Sequence, residues 1–259
     1  MLLALDIGNS NIVIGVSDNG EWSYQWRIQT DDKKTTDEYG VLFRELFAEK
    51  GLDYQEFGQI IICSVVPQLT QTISEVFSQR SQARVLVLNN SIDTGIAIKT
   101  AAPESVGADL IAGVAGAFEL FRDDCIVVDF GTATTVMAAQ KPGELIGGAI
   151  CAGLKVTIDA LVGKTAQLSQ IPLEPPPSVL GRNTMETMQS GLVLGHMCMV
   201  EGLIDRMKQE LNSSSVKTIA TGGLSEKVGR YTNYFDVVDP MLTLDGLRLI
   251  MDRQQSAEK

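Results

Sequence analysis

Apolar and polar positions along the chain first fall into a pattern of short strands broken by polar turns. In the stretch LALDIGNSNIVIGV, residues 3–16, the apolar runs Leu3-Ala4-Leu5 and Ile12-Val13-Ile14 flank Asp6, Gly8, Asn9, Ser10 and Asn11. This predicts a strand at 2–7, a turn at 8–10 and a strand at 11–17. Asp18-Asn19-Gly20 is a hairpin signal, and residues 21–30 alternate as a third strand. Tyr39, Leu42, Phe43, Leu46 and Phe47 recur at helical spacing, so a helix is expected over 36–50, stopped by Gly51. A continuous apolar strand at 59–66 is ended by Pro67. A helix at 68–79 and a strand at 83–88 complete this half.

The pattern then repeats. CIVVDFGTATTVMAA, residues 125–139, lies on the opening stretch with Asp129 on Asp6, Gly131 on Gly8 and Val136 on Val13. Each copy is an apolar strand, an Asp-x-Gly turn with small polar side chains and a second apolar strand. A third strand (144–150 in the second copy) and a helix (155–167) follow. This is an internal duplication. Beyond a Pro-rich loop at 172–177, a long helix is expected over 184–210, with Asn183 and Glu186 at capping-box spacing. VKTIATGGLS, residues 216–225, reads as a strand, a Thr-Gly-Gly turn and a helix start. A strand at 235–238 and a helix at 242–252 close the pattern. Two repeated halves, 1–115 and 116–259, each with a mixed sheet flanked by helices, predict an α/β protein with a nucleotide cleft between the halves.

Composition narrows the function classes. The chain has 259 residues, 44% of them hydrophobic, with 21 Lys and Arg against 32 Asp and Glu, a net charge of −11. Nucleic acid and anionic membranes are held largely through basic clusters, so neither is an expected partner. Met1-Leu2-Leu3-Ala4-Leu5 meets Asp6 before a secretory core develops, and no segment approaches the roughly 20 apolar residues of a membrane span. Cys63, Cys125, Cys151 and Cys198 are widely spaced, which gives no disulfide or zinc framework and fits a reducing cytoplasm.

The turns suggest chemistry. Glycine lets backbone pass close to a ligand, while N–H groups and Asn, Ser and Thr side chains can donate to phosphate oxygens. A carboxylate beside phosphate needs a magnesium ion between them. One such turn alone reads equally well as an Asp bonding its own backbone; two copies and a Thr-Gly-Gly turn point to a nucleotide phosphate clamp. His196, the lone histidine, has no partners at ligand spacing and reads as packing or an interface. Asp109 interrupts a small, apolar run, and the pattern alone favours a first-turn residue complementing a helix dipole.

Three segments, Asp6-Ile7-Gly8-Asn9-Ser10, Asp129-Phe130-Gly131-Thr132-Ala133-Thr134-Thr135 and Ala220-Thr221-Gly222-Gly223-Leu224, resemble the phosphate and adenosine motifs of the actin/sugar-kinase/heat-shock-ATPase superfamily. Within it the chain is similar to type III pantothenate kinases along nearly its whole length. Further matching segments are Thr36-Asp37-Glu38-Tyr39, Cys63-Ser64-Val65-Val66-Pro67, Gly107-Ala108-Asp109, Gly147-Gly148-Ala149-Ile150, Gly181-Arg182-Asn183-Thr184 and Asp245-Gly246-Leu247-Arg248.

The resemblance implies two actin-like (ribonuclease H-like) domains and ATP-dependent phosphorylation of pantothenate, the first committed step toward coenzyme A. It implies that Asp6, Ile7, Gly8, Asn9, Ser10, Asn11, Ile12 and Val13 contact ATP with magnesium, joined by Thr132, Gly222 and Gly223. Asp129 would ligate a monovalent cation, potassium or ammonium, and Asp6 is a second metal position. Asp109 would be the base for the substrate hydroxyl, with Gly107, Ala108, Leu110 and Thr184 as substrate contacts, in a homodimer. The family pattern carries arginine where this chain has Leu110, Asn-Pro where it has Ala102-Pro103, and Pro-Gly where it has Ala152-Gly153. Lys99 and Lys155 are alternative sources of the missing charge. Two further readings stay open: the same chemistry on another small hydroxylated substrate, and a non-catalytic nucleotide-binding paralogue.

Overall fold

The computed structural model describes residues 1–213 and 215–256. The chain forms two compact units, one of Met1–Ala97, Ala101–Gly116 and the segment from Leu242, the other of Ile98–Thr100 and Ala117–Met241. A single division at 115/116 falls inside one helix, and the C-terminal helix returns to the first unit.

The first unit holds strands β1 (Leu2–Ile7), β2 (Asn11–Asp18) and β3 (Glu21–Gln29), helix α1 (Thr36–Ala48), β4 (Gln59–Ser64), α2 (Pro67–Arg80) and β5 (Arg84–Val87). Its sheet runs β3-β2-β1-β4-β5, antiparallel on the hairpin side and parallel from β1 outward. The apolar runs bury Leu3, Leu5, Ile7, Ile12, Ile14, Ile60 and Ile62 against Tyr39, Phe43 and Phe47 of α1 and Phe77 of α2. Helix α1 starts on a complete capping box: Thr35 accepts from the Glu38 N–H and Glu38 accepts from the Thr35 N–H. Pro67 ends the predicted strand and occupies the first turn of α2, where its missing N–H costs nothing.

Strand β6 (Ala97–Ile98) and helix α3 (Ala108–Phe121) lead into the second unit, which repeats the plan with β7 (Cys125–Phe130), β8 (Ala133–Gln140), β9 (Glu144–Ala152) and α4 (Leu154–Lys164). Helices α5 (Thr184–Met188) and α6 (Gly195–Leu211) precede β10 (Lys217–Thr221), α7 (Ser225–Gly229) and β11 (Val237–Val238), and α8 (Leu242–Ser256) ends the chain. This sheet runs β11-β10-β7-β8-β9-β6. β1 and β7 share one burial pattern with their aspartates at the same step, and β2 and β8 share another in all but their last residue. The bulge between Val16 and Ser17 recurs between Ala138 and Ala139.

The register corrects one sequence match. Val136 pairs with Val128 as Ile14 pairs with Leu5, so Val136 corresponds to Ile14 and not to Val13. The second turn is one residue shorter, and simple alignment of the two stretches slips by one past it. The expected helix over 184–210 is also not uniform: between α5 and α6 the chain takes a wider π-helical turn at Gln189–Leu194. Strand β4 ends at Ser64 rather than 66, and α4 at Lys164 rather than 167.

Helix α8 packs with the first unit because it buries Leu242, Leu244, Leu247, Ile250 and Met251. Two glycines permit its approach to α3: a Cβ on Gly246 would lie 1.8 Å from the Ala112 carbonyl oxygen, and one on Gly116 would lie 2.6 Å from that of Leu242. Trp22 Nε1 donates to Asp245 Oδ1 at 2.9 Å and ties α8 to β3.

Candidate active site

In the first unit, β1 delivers Asp6 at its penultimate position, half-buried, and Gly8 begins the turn. Gly8 N–H donates to Asn11 O at 3.0 Å, and Thr30 Oγ1 donates to Gly8 O at 2.7 Å, so the turn is fastened to the chain beyond β3. A side chain on Gly8 would press on the Asn11 oxygen at 3.2 Å. Asn9 and Ser10 are exposed at the tip, Asn11 and Val13 are half-buried, and Ile7 and Ile12 are core. The predicted contact set therefore divides: backbone and the side chains of Asp6, Asn9, Ser10 and Asn11 can meet a ligand, while Ile7 and Ile12 anchor the turn.

Asp109 lies in the first turn of α3, as the dipole reading expects, and is half-buried. Its Oδ1 accepts from the Leu110 N–H at 2.8 Å. Burial raises the proton affinity of this carboxyl, against the N–H groups of Leu110 and of Asp109 itself, which lower it. Gly107 makes room: a Cβ there would stand 2.5 Å from Asp109 Oδ1. Ala108 and Leu110 are half-buried beside it. Cys63, on β4, was not among the predicted site residues, yet the parallel register sets it opposite Asp6, and burial, with the charges of Asp6 and Asp109, raises the proton affinity of its thiol. The register thus places Cys63 beside Asp6, in the same unit as Asp109. The sequence shows only that Cys63 ends an Ile-Ile-Ile-Cys run; that it stands opposite Asp6 follows from the register of β4 on β1.

In the second unit Asp129 takes the corresponding position on β7, and Gly131 and Thr132 are exposed at the turn. Gly153 N–H donates to Thr132 O at 3.0 Å, and a Cβ on Gly153 would lie 2.4 Å from that oxygen, so the turn sits directly on the start of α4. Gly222 has φ +89° and packs on β7, where a Cβ would reach within 2.1 Å of Asp129 Oδ1. Gly223 is exposed next to it. Thr221 pairs with Asp129 across β10 and β7. Its buried Oγ1 has no hydrogen-bond partner among the described residues. An orphaned hydroxyl beside a carboxylate, over a glycine turn, is the kind of group a bound cation or polar ligand satisfies.

The remaining predicted residues are less enclosed. Thr184 is exposed at the first position of α5, where the Asn183 side chain accepts from the Glu186 N–H. Lys99 is engaged by Glu144 at 3.5 Å, and Lys155 is exposed. His196 is buried and lies 3.0 Å from Thr134 Oγ1, with burial lowering its proton affinity. That places it in packing, as the sequence suggests. Among the described residues no three His, Cys, Asp or Glu side chains converge as a metal cluster. Magnesium is held chiefly by substrate phosphates, with one or two carboxylates and water, so an Asp6-type site fits it without such a cluster. Among these residues no helix is long and apolar enough to cross a membrane.

Comparison with known proteins gives a consistent picture. The family described as type III pantothenate kinase matches residues 2–206. A type III pantothenate kinase of Moorella thermoacetica is 42% identical over 253 residues, covering 98% of this chain and 99% of its own. One from Koribacter versatilis is 41% identical over 266 residues, covering 99% and 97%. Among solved structures, MreB5 of Spiroplasma citri bound to ADP superposes with a TM-score of 0.55 at 9% identity, covering 99% of this chain and 97% of that one, a likeness of fold alone.

Proposed function

The chain belongs to the type III pantothenate kinase family, and we propose that it transfers the γ-phosphoryl group of ATP to the primary hydroxyl of pantothenate, with Asp109 as base. The observation that carries the role of Asp109 is its half-buried carboxylate of raised proton affinity, in the same unit as the Asp6 turn. Phosphoryl transfer asks for in-line positioning, charge neutralisation and a group to orient the attacking hydroxyl. Asp109 takes the hydroxyl proton as the hydroxyl oxygen bonds to phosphorus and the bond to the ADP oxygen breaks. Its raised proton affinity makes it a stronger base than an ordinary aspartate. Asn9, Ser10, Asn11 and the N–H groups of the first turn bind phosphate oxygens, with Asp6 facing the metal. Magnesium, when bound, neutralises charge on the transferring group and the leaving phosphate.

Thr132, Gly222 and Gly223 are assigned to ATP, and Asp129 to a monovalent cation, potassium or ammonium. The unsatisfied Thr221 hydroxyl supports that cation position. Gly107, Ala108, Leu110 and Thr184 are assigned to pantothenate. A homodimer is supported by exposed Val179, Leu180 and Met185 around the start of α5. Four free cysteines agree with a cytoplasmic enzyme.

The test is ADP release with ATP, magnesium and pantothenate, with and without potassium. Potassium-stimulated, pantothenate-dependent turnover is expected. Protection by ATP against heat with no pantothenate-dependent release would overturn the substrate assignment. Leu110 favours a second reading, since an apolar side chain offers none of the donors of an arginine: the same centre acting on another small hydroxylated compound, which a panel of hydroxy acids would reveal.

A further inference from the structure

Cys63 is in a position its residue type does not require. Buried cysteine usually behaves as a small apolar side chain, and the rest of the run, Ile60, Ile61 and Ile62, is fully buried. At 63, however, the parallel register sets the residue directly opposite Asp6. Paired residues on neighbouring strands project to the same face, with strands about 4.8 Å apart. The Cys63 side chain therefore lies on the same face as the Asp6 carboxylate, one strand spacing away. The second unit repeats the register, with Thr221 opposite Asp129 on β10 and its hydroxyl without a hydrogen-bond partner among the described residues. In both copies the residue beside the turn carboxylate is a small side chain that can donate a hydrogen bond, where an apolar one would suit a strand equally well.

We propose that Cys63 is a positioning residue for phosphoryl transfer, its thiol donating to Asp6 so that this carboxylate keeps its aim at the metal–phosphate end instead of shifting relative to Asp109. The inference rests on the reading that Asp6 serves magnesium ATP. Removing a donor from a half-buried carboxylate costs the free energy of that hydrogen bond.

The test compares Cys63→Ala and Cys63→Ser with the unaltered protein. Magnesium-ATP affinity is measured by calorimetry, which needs no turnover, alongside KM for each substrate and the melting temperature. Cys63→Ala should weaken magnesium ATP by about fivefold in both Kd and KM, the factor expected for one modest hydrogen bond. KM for pantothenate should be unchanged, and Cys63→Ser, which restores a donor, should return to within about twofold of the unaltered protein. Should Cys63→Ala not fold, Cys63→Val against Cys63→Thr makes the same comparison at similar volume. Equal magnesium-ATP affinity in the variants with and without a donor overturns the proposal. So does a loss that serine fails to restore. If the unaltered protein does not bind magnesium ATP, it is the reading of Asp6 that fails, and this inference with it.

Discussion

Asp109 pays for its position in stability, and the sign of that cost is testable. Its folded-state proton affinity is raised, with burial as the largest cause. A carboxyl of this kind contributes its full stability below the unfolded-state value of about 3.9, and that contribution is lost as pH rises through the folded value. At neutral pH the ionised side chain therefore works against folding. Asp109→Asn should lower kcat by about 10²–10⁴-fold, the range for a lost acid–base group. The same variant should melt at an equal or higher temperature than the unaltered protein at pH 7–8, and that advantage should vanish toward pH 3. A variant that melts well below the unaltered protein at neutral pH would show that the carboxylate is held by compensating contacts. Leu110 gives the complementary case. Leu110→Arg should lower KM for pantothenate by about tenfold, as expected for one charge-assisted hydrogen bond. An unchanged KM would indicate a pocket built around a different group.

At the scale of elements, the hairpins were legible because their signal is local. Apolar strands, an Asp-x-Gly turn and the Asp-Asn-Gly hairpin signal each act within a few residues, and β1–β3 and β7–β9 follow them closely. What was not legible depends on pairing across the fold. The one-residue difference between the turns is visible only when Val136 is seen opposite Val128. The role of Cys63 emerges only from the register of β4 on β1. The π-helical turn at Gln189–Leu194 escapes the sequence because one wider turn barely alters the spacing of apolar residues around it. Glycines gave a mixed signal. Those of the turns were read as ligand approach, but Gly246 is needed for helix packing. With only 1.8 Å between its hypothetical Cβ and the Ala112 oxygen, Gly246→Ala must force α8 away from α3. A loss of about 1–3 kcal/mol is expected, seen as a fall in melting temperature of roughly 3–10 °C for a chain of this size. A fall of less than a degree would mean that the helices slide apart at no cost.

At the scale of the whole molecule, the same plan is used twice with different surroundings for the turn carboxylate. Asp6 has the Cys63 thiol opposite it, while Asp129 lies beside the Thr221 hydroxyl, which has no hydrogen-bond partner among the described residues. Duplication fixes the positions, and divergence at single residues separates their proposed tasks: metal and phosphate for Asp6, a monovalent cation for Asp129. The two units also differ in what they leave exposed. Val179 and Leu180 keep 68% and 81% of their surface accessible, and Met185 keeps 50%, all in the second unit near the start of α5. Scattered apolar residues on a surface need no explanation, but three of them around one helix start form a patch that water does not favour. The Ser190 hydroxyl fastens this segment by donating to the Val179 oxygen at 2.6 Å, so the patch has a defined shape. If a second copy of the chain covers it, placing a charge at its most exposed point should block association without disturbing the fold. Leu180→Glu should sediment as a monomer of about 28 kDa where the unaltered protein sediments at twice that mass. Its melting temperature at high dilution, where the unaltered protein also dissociates, should match, because a solvent-facing substitution changes the folded monomer by less than about 0.5 kcal/mol. Equal sedimentation of the two proteins as dimers would move the interface away from α5, and a monomeric unaltered protein would remove the homodimer altogether.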